Sequence, residues 1–178
     1  MIELILFDET GFDILISWID TPEALMQFAG PDYSFPLTHE QLVAAAGDER
    51  RIAFKAIHTE TGTMIGYAEI FIGKETAYLG RILIGDPNLR GRGYGQAIVR
   101  QLVDIAFGEM KQHKLSLNVF DFNCSAIRCY EKVGFVVNEG LQLQREVNGK
   151  MWVTVNMTLG KSKWMEQKKQ AEEAELEN

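Results

Sequence analysis

Apolar positions along the chain follow two spacings. Residues 51–58, 64–72 and 76–84 are apolar-rich runs of strand length, and turns at 59–62 and 73–75 separate them, which predicts an antiparallel meander. Residues 2–7 predict an earlier strand and 115–119 a short later one. Residues 135–146 and 150–159 predict a hairpin around Asn148-Gly149, a dipeptide that accepts positive φ. Helical spacing places Phe12, Leu15, Ile16 and Ile19 on a helix over 8–19, with Asp8 as its cap. Thr21-Pro22-Glu23 opens a second helix, by a capping hydroxyl, a first-turn proline and a carboxylate for the dipole. Thr38 opens a third, with Gln41 at capping-box spacing. Ile98, Leu102, Ile105 and Ala106 mark a long helix from Gly95 to about Gln112. A short helix over 126–133 is expected to be capped by Ser125 and stopped by Gly134. The strand at 115–119 follows a crossover helix, which predicts that it runs parallel to 76–84. Gly66, inside a strand, marks a bulge or a close approach of backbones.

One stretch joins these elements to chemistry. Residues 79–95, LGRILIGDPNLRGRGYG, combine an apolar run, a turn and a basic glycine-rich loop, and a helix follows at once. Amides at a helix start lack intrahelical partners, and the dipole there favours an anion. Glycines allow positive φ and a close backbone approach, so the recipe suits phosphates. A dinucleotide fingerprint fails, because Gln96 or Ile98 falls where glycine or alanine is required. A Walker loop fails as well, since no lysine lies between Lys74 and Lys111. An ordinary glycine turn with solvated arginines would have the same composition.

The remaining pattern, Arg90-x-x-Gly93-x-Gly95, resembles the Q/R-x-x-G-x-G/A loop of the GCN5-related N-acetyltransferase (GNAT) superfamily, which binds the pyrophosphate of coenzyme A. The stretch 118–135, NVFDFNCSAIRCYEKVGF, resembles the second half of that fold, with Asn123, Tyr130, Gly134 and Phe135 at the matching positions. The two motifs cover about a third of the chain and lie in the family order. The resemblance implies an α/β (α+β) fold: a mixed, mostly antiparallel central sheet of about seven strands flanked by helices. It also implies an acetyltransferase domain over 1–160, and 161–178 reads as a charged tail, helical or frayed.

For function, the resemblance implies transfer of an acetyl group from acetyl-CoA to a primary amine by direct attack in a ternary complex. Main-chain groups of Ile82, Leu83 and Ile84 would bind the pantetheine arm as an added strand does. Arg90, Gly91, Arg92, Gly93, Tyr94 and Gly95 would hold the pyrophosphate, and Asn123 the pantetheine or acyl end. Tyr130 would act as general acid for the leaving thiolate or steady its charge. A main-chain N–H near Leu83 would face the oxyanion. Glu69 is the first choice for the base and Asp121 the second; Asp32 and Tyr33 would contact the amine. Cys124 and Cys129 suggest a thiol nucleophile, but no histidine lies near them in sequence and the family route is direct transfer. The alternative function is a non-catalytic acyl-CoA-binding sensor, against which the presence of Tyr130 argues. A third reading, a phosphate-binding structural domain, leaves the second motif unexplained.

Composition narrows the partners. A formal charge of −7 over 178 residues disfavours nucleic acid. The acceptor options under the resemblance are a polyamine, an aminoglycoside, an amino acid or a protein N-terminus, and the acidic balance mildly favours a cationic small molecule. No apolar run approaches the roughly 20 residues that span a bilayer, so no membrane partner is expected. The start, MIELILFDE, has no basic region and does not read as a signal peptide. With Cys124 and Cys129 read as free thiols, a cytoplasmic location is expected. His39, His58 and His113 lack ligand spacing, so no metal is expected. The last hairpin offers an edge for a homodimer.

Overall fold

The computed structural model describes residues 1–176. Seven strands form one sheet in the order β1-β2-β3-β4-β5-β7-β6: β1 Ile2–Leu6, β2 Arg51–His58, β3 Met64–Ile72, β4 Thr76–Ile84, β5 Lys114–Phe120, β6 Val136–Val147 and β7 Lys150–Gly160. Every neighbouring pair is antiparallel except β4 and β5. On one face lie α1 Phe12–Ser17, α2 Pro22–Ala29 and α3 His39–Ala46, packed through Leu15, Leu25 and Leu42 against Tyr67 and Leu83. The other face carries α4 Tyr94–Asp104 and α5 Cys124–Val133 over a larger core that includes Ile98, Leu102, Phe107 and Phe135. Phe107 lies on a π-helical turn, Ile105–Glu109, that extends α4. Among the described residues no helix is long and apolar enough to cross a membrane.

Two features shape the middle of the sheet. First, β4 and β5 pair over only Thr76–Lys114, Ala77–Leu115 and Tyr78–Ser116, and then part. Beyond Tyr78 the β5-facing edge of β4 has no ladder partner, while β5 turns to β7 for its full length. Second, β4 bulges: Leu83 faces Tyr67 and Gly80 faces Glu69, so Arg81 and Ile82 oppose the single residue Ala68. Arg81 takes φ +52°, a left-handed conformation that costs a residue with a Cβ about 1–2 kcal/mol. Gly66 is required by packing, since a Cβ there would stand 2.8 Å from the Leu83 carbonyl oxygen and 2.9 Å from Ile98 Cδ1.

Several expected boundaries shift. The helix expected over 8–19 starts as a 3-10 turn, Glu9–Gly11, because Asp8 accepts from Thr10 N and also binds Lys55 Nζ, tying the start to β2. Gln41 does not complete a capping box; its amide bonds the Ser34 and Pro36 backbone and so holds the loop before α3. The cap of α5 is Asn123 rather than Ser125: its Oδ1 accepts from Ala126 N at 3.3 Å and from Ser125 Oγ at 3.1 Å. The tail is a helix, α6 Lys161–Leu176, and its Trp164 packs on Phe107 and donates to Asp104 at 2.8 Å. Residues 177–178 of the expected tail lie outside the described residues.

Candidate active site

Where β4 and β5 part, a cleft of about 460 Å³ opens, and side chains from both faces of the sheet reach it. Its lining includes Ile82 of β4, Asn123 and Tyr130 of α5, Glu69 of β3, and Asp32 from the loop after α2. Arg145 and Trp152 of the last hairpin close it from the β6–β7 side. The hairpin tip reaches across to α2, where Asn148 Nδ2 donates to Glu23 Oε1.

The glycine loop stands at the neighbouring end of β4. Gly91 and Gly93 take φ +74° and +87°, and a Cβ on either would meet open space, so backbone conformation rather than packing demands glycine. Gly93 is the N-cap of α4 and no side chain caps it. The first turn of α4 therefore presents its amides outward, with Gly91, Arg92 and Gly93 exposed. Arg90 folds back: its Nε donates to the Ile84 carbonyl at 3.2 Å and its guanidinium reaches Gly85 O at 3.5 Å. It therefore fixes the loop against the strand end. Tyr94 packs on the core with its ring 5.7 Å from His58.

Gly134, at φ +110°, ends α5 with paired bonds from Gly134 N to Glu131 O and from Phe135 N to Tyr130 O. That cap fixes the turn carrying Tyr130, whose ring lies 6.2 Å from Phe135. Burial pushes the Tyr130 hydroxyl above the ordinary tyrosine range, with Cys129 a lesser cause, so the phenol stays protonated through neutral pH. Burial also raises the Cys129 thiol and keeps it from being a thiolate nucleophile.

Glu69 is 3% exposed. Its Oε1 accepts from Tyr67 Oη at 2.5 Å and Arg81 Nη1 at 2.9 Å; its Oε2 accepts from Arg51 Nη1 at 2.8 Å and Arg81 Nη1 at 3.1 Å. A carboxylate offers about four acceptor positions, and all are taken. This geometry argues against Glu69 as the base and makes it the anchor of a charge cluster. Arg81 also donates to Asp32 Oδ2 at 2.7 Å and to Tyr33 Oη at 2.8 Å. The same contacts hold Arg81 in its left-handed conformation.

The expected residues therefore divide. Ile82, Asn123, Tyr130, Glu69 and Asp32 meet in the cleft, whereas Leu83 turns its side chain to the α1–α3 face and Asp121 is exposed outside the lining. Arg51 and Arg81 belong to no motif in the sequence. The available signal was a lone arginine in the apolar run 79–84 beside a lone glutamate in the apolar run 64–72. Opposite charges on adjacent buried strands imply a pair.

A family model described as Acetyltransferase (GNAT) family matches residues 15–135. The chain is 38% identical over 53 residues to aminoglycoside N(6')-acetyltransferase type 1 of Klebsiella pneumoniae, covering 30% of this chain and 26% of that protein. It is 28% identical over 79 residues to spermidine N(1)-acetyltransferase of Vibrio cholerae, covering 44% and 46%. The matched segments span less than half the length of these curated relatives. Among solved structures, spermidine N-acetyltransferase from Vibrio cholerae in complex with CoA and spermine aligns with TM-score 0.77 at 20% identity, covering 92% of this chain and 98% of that one. An aminoglycoside acetyltransferase in complex with coenzyme A aligns with TM-score 0.73 at 19% identity, covering 94% and 99%. At these identities the structural likeness is one of fold.

Proposed function

Since the chain belongs to the acetyltransferase (GNAT) family, we propose that it moves an acetyl group from acetyl-CoA to a primary amine within a ternary complex. The observation that carries this reading is the parting of β4 and β5 between an uncapped, glycine-started helix and a half-buried tyrosine. Family membership and the names of the matched relatives support the reaction class.

The residues present fit acetyl-CoA. Outward amides at Gly91, Gly93 and the start of α4 suit a diphosphate, and Arg92 adds charge. The unpaired edge of β4 suits an extended amide chain, as an added strand would. Asn123 spends Oδ1 on the helix cap, which leaves Nδ2 to donate to a carbonyl of that chain. The amine nitrogen bonds to the thioester carbonyl carbon, the carbon–sulfur bond breaks, and the thiolate leaves. The main-chain amide of Ile82, in the bulge and on the part of β4 that β5 has left, is the donor for the oxyanion. Tyr130, neutral through physiological pH, donates to the departing sulfur. Asp32 has Oδ2 bound to Arg81 and no partner on Oδ1 among the described residues, so it takes the amine proton directly or through water.

The test is thiol release from acetyl-CoA across a panel of primary amines, with Tyr130→Phe as the diagnostic variant. Its kcat should fall about tenfold or more, at or below the low end of general-acid contributions. An unchanged kcat where chemistry limits would remove Tyr130 from the reaction. Binding of acetyl-CoA with no thiol release for any amine would favour a sensor.

A further inference from the structure

The cleft carries five ionisable charged side chains: Asp32, Glu69, Arg51, Arg81 and Arg145. Three guanidiniums stand against two carboxylates, so the lining has an excess of one positive charge although the whole chain is acidic. Both carboxylates are already compensated from within. Glu69 is bound by Arg51 and Arg81, and Asp32 lies 2.7 Å from Arg81 Nη2 and 3.8 Å from Arg51 Nη2. Two aromatic faces beside this charge cluster are covered as well. Arg81 sits over Tyr33 at 4.4 Å, and Arg50 and Arg51 over Phe71 at 5.0 and 5.6 Å. Apart from the open Oδ1 of Asp32, which serves the reacting amine, an extended polycation would find no further counter-charge in the lining without displacing the protein's own arginines.

An anion meets the opposite situation. The side chain of Arg145, on the hairpin wall of the cleft, makes no ion pair or hydrogen bond among the described residues. Arg51 commits one N–H to Glu69 within hydrogen-bond distance, out of five that a guanidinium carries. Two guanidiniums with unspent donors thus line a cleft in which both carboxylates already pair with arginine and only Asp32 Oδ1 is left for the amine. We propose that the acceptor carries a carboxylate as well as its amine, an amino acid or short peptide, and that Arg145 with Arg51 holds that carboxylate. This rests on the acetyltransferase reading above.

The experiment compares matched amines with and without the carboxylate: phenylalanine against phenethylamine, lysine against cadaverine, and a dipeptide against its C-terminal amide. Thiol release from acetyl-CoA gives kcat/KM for each. A charge-assisted bond to a guanidinium should favour the carboxylated member by about tenfold or more. Arg145→Gln should narrow that ratio, and Arg145→Glu should narrow it further; Arg145 is exposed on the hairpin, so the fold should survive both. A ratio near or below one overturns the inference while leaving the transferase reading intact. A ratio that Arg145→Gln leaves unchanged overturns the role of Arg145. No thiol release with any amine, while acetyl-CoA still raises the Tm, overturns both readings together.

Discussion

Replacing Glu69 separates two roles that a carboxylate in a cleft can have. Its oxygens hold the guanidiniums of Arg51 and Arg81, whose side chains are 21% and 6% exposed. Removing one partner of a buried pair strands the other charge, at a cost of about 3–5 kcal/mol. Asp32 remains within 2.7 Å of Arg81 and offsets part of that cost, and the partial exposure of Arg51 offsets more. Glu69→Ala should therefore cost about 3 kcal/mol, near the bottom of that range. In a chain of this size each kcal/mol moves the Tm by about 2–4 °C, so the midpoint should fall by about 6–12 °C. Glu69→Gln keeps an acceptor and the shape, and should lose less stability while keeping kcat within about threefold of the parent, well short of the loss of a general base. The assays are thermal melting without ligand and saturating thiol-release kinetics. If Glu69→Gln leaves the Tm unchanged and lowers kcat by about a hundredfold, Glu69 is the base and the anchoring argument fails.

The remaining predictions are shorter. Asp32→Asn should lower kcat with little change in KM for acetyl-CoA; equal rates in steady-state assays would exclude Asp32 as proton acceptor. Gly66→Ala drives a Cβ against the Leu83 carbonyl and should cost about 2 kcal/mol, read by denaturant midpoint, because a backbone atom yields less than a side chain. Tyr67 and Tyr130 both have raised values in the folded chain, chiefly from burial. The unfolded phenols ionise first, so the stability these groups contribute is fully present below the ordinary tyrosine value of about 10 and is lost as pH rises above it. Melting across that alkaline range should show a steeper decline for the parent than for the double variant Tyr67→Phe, Tyr130→Phe.

Much of the fold was legible because local signals and tertiary demands agree. Thr21 caps α2 as its position suggested, accepting from Ala24 N, and Gly66 marks the close approach that a strand glycine implies. The meander around β3 and the hairpin at Asn148-Gly149 follow from apolar runs and turn residues. Legibility ended where two neighbours competed for one role. Asn123 and Ser125 can both cap a helix, and only the path of the loop out of β5 decides between them. In the site, backbone chemistry was readable and side-chain charge was not. Gly93 announces a helix start in any context, whereas the role of Glu69 depends on Arg51 and Arg81, which lie 18 and 12 residues away in sequence. The bulge that turns Arg81 inward has no turn signal, since Arg81 occupies a conformation usually left to glycine.

The central claim is that the loop from Arg90 to Gly95 and the open edge of β4 form a binding site for acetyl-CoA, and thermal melting with acetyl-CoA, ATP and NAD in parallel tests it most directly. At a hundredfold excess over Kd, acetyl-CoA should add about 2.7 kcal/mol to stability. That corresponds to a rise in Tm of about 5–11 °C. Gly93→Val, which denies the left-handed start of α4, should abolish most of the rise. Stabilisation by ATP or NAD without any by acetyl-CoA, or an undiminished rise in Gly93→Val, would contradict the account.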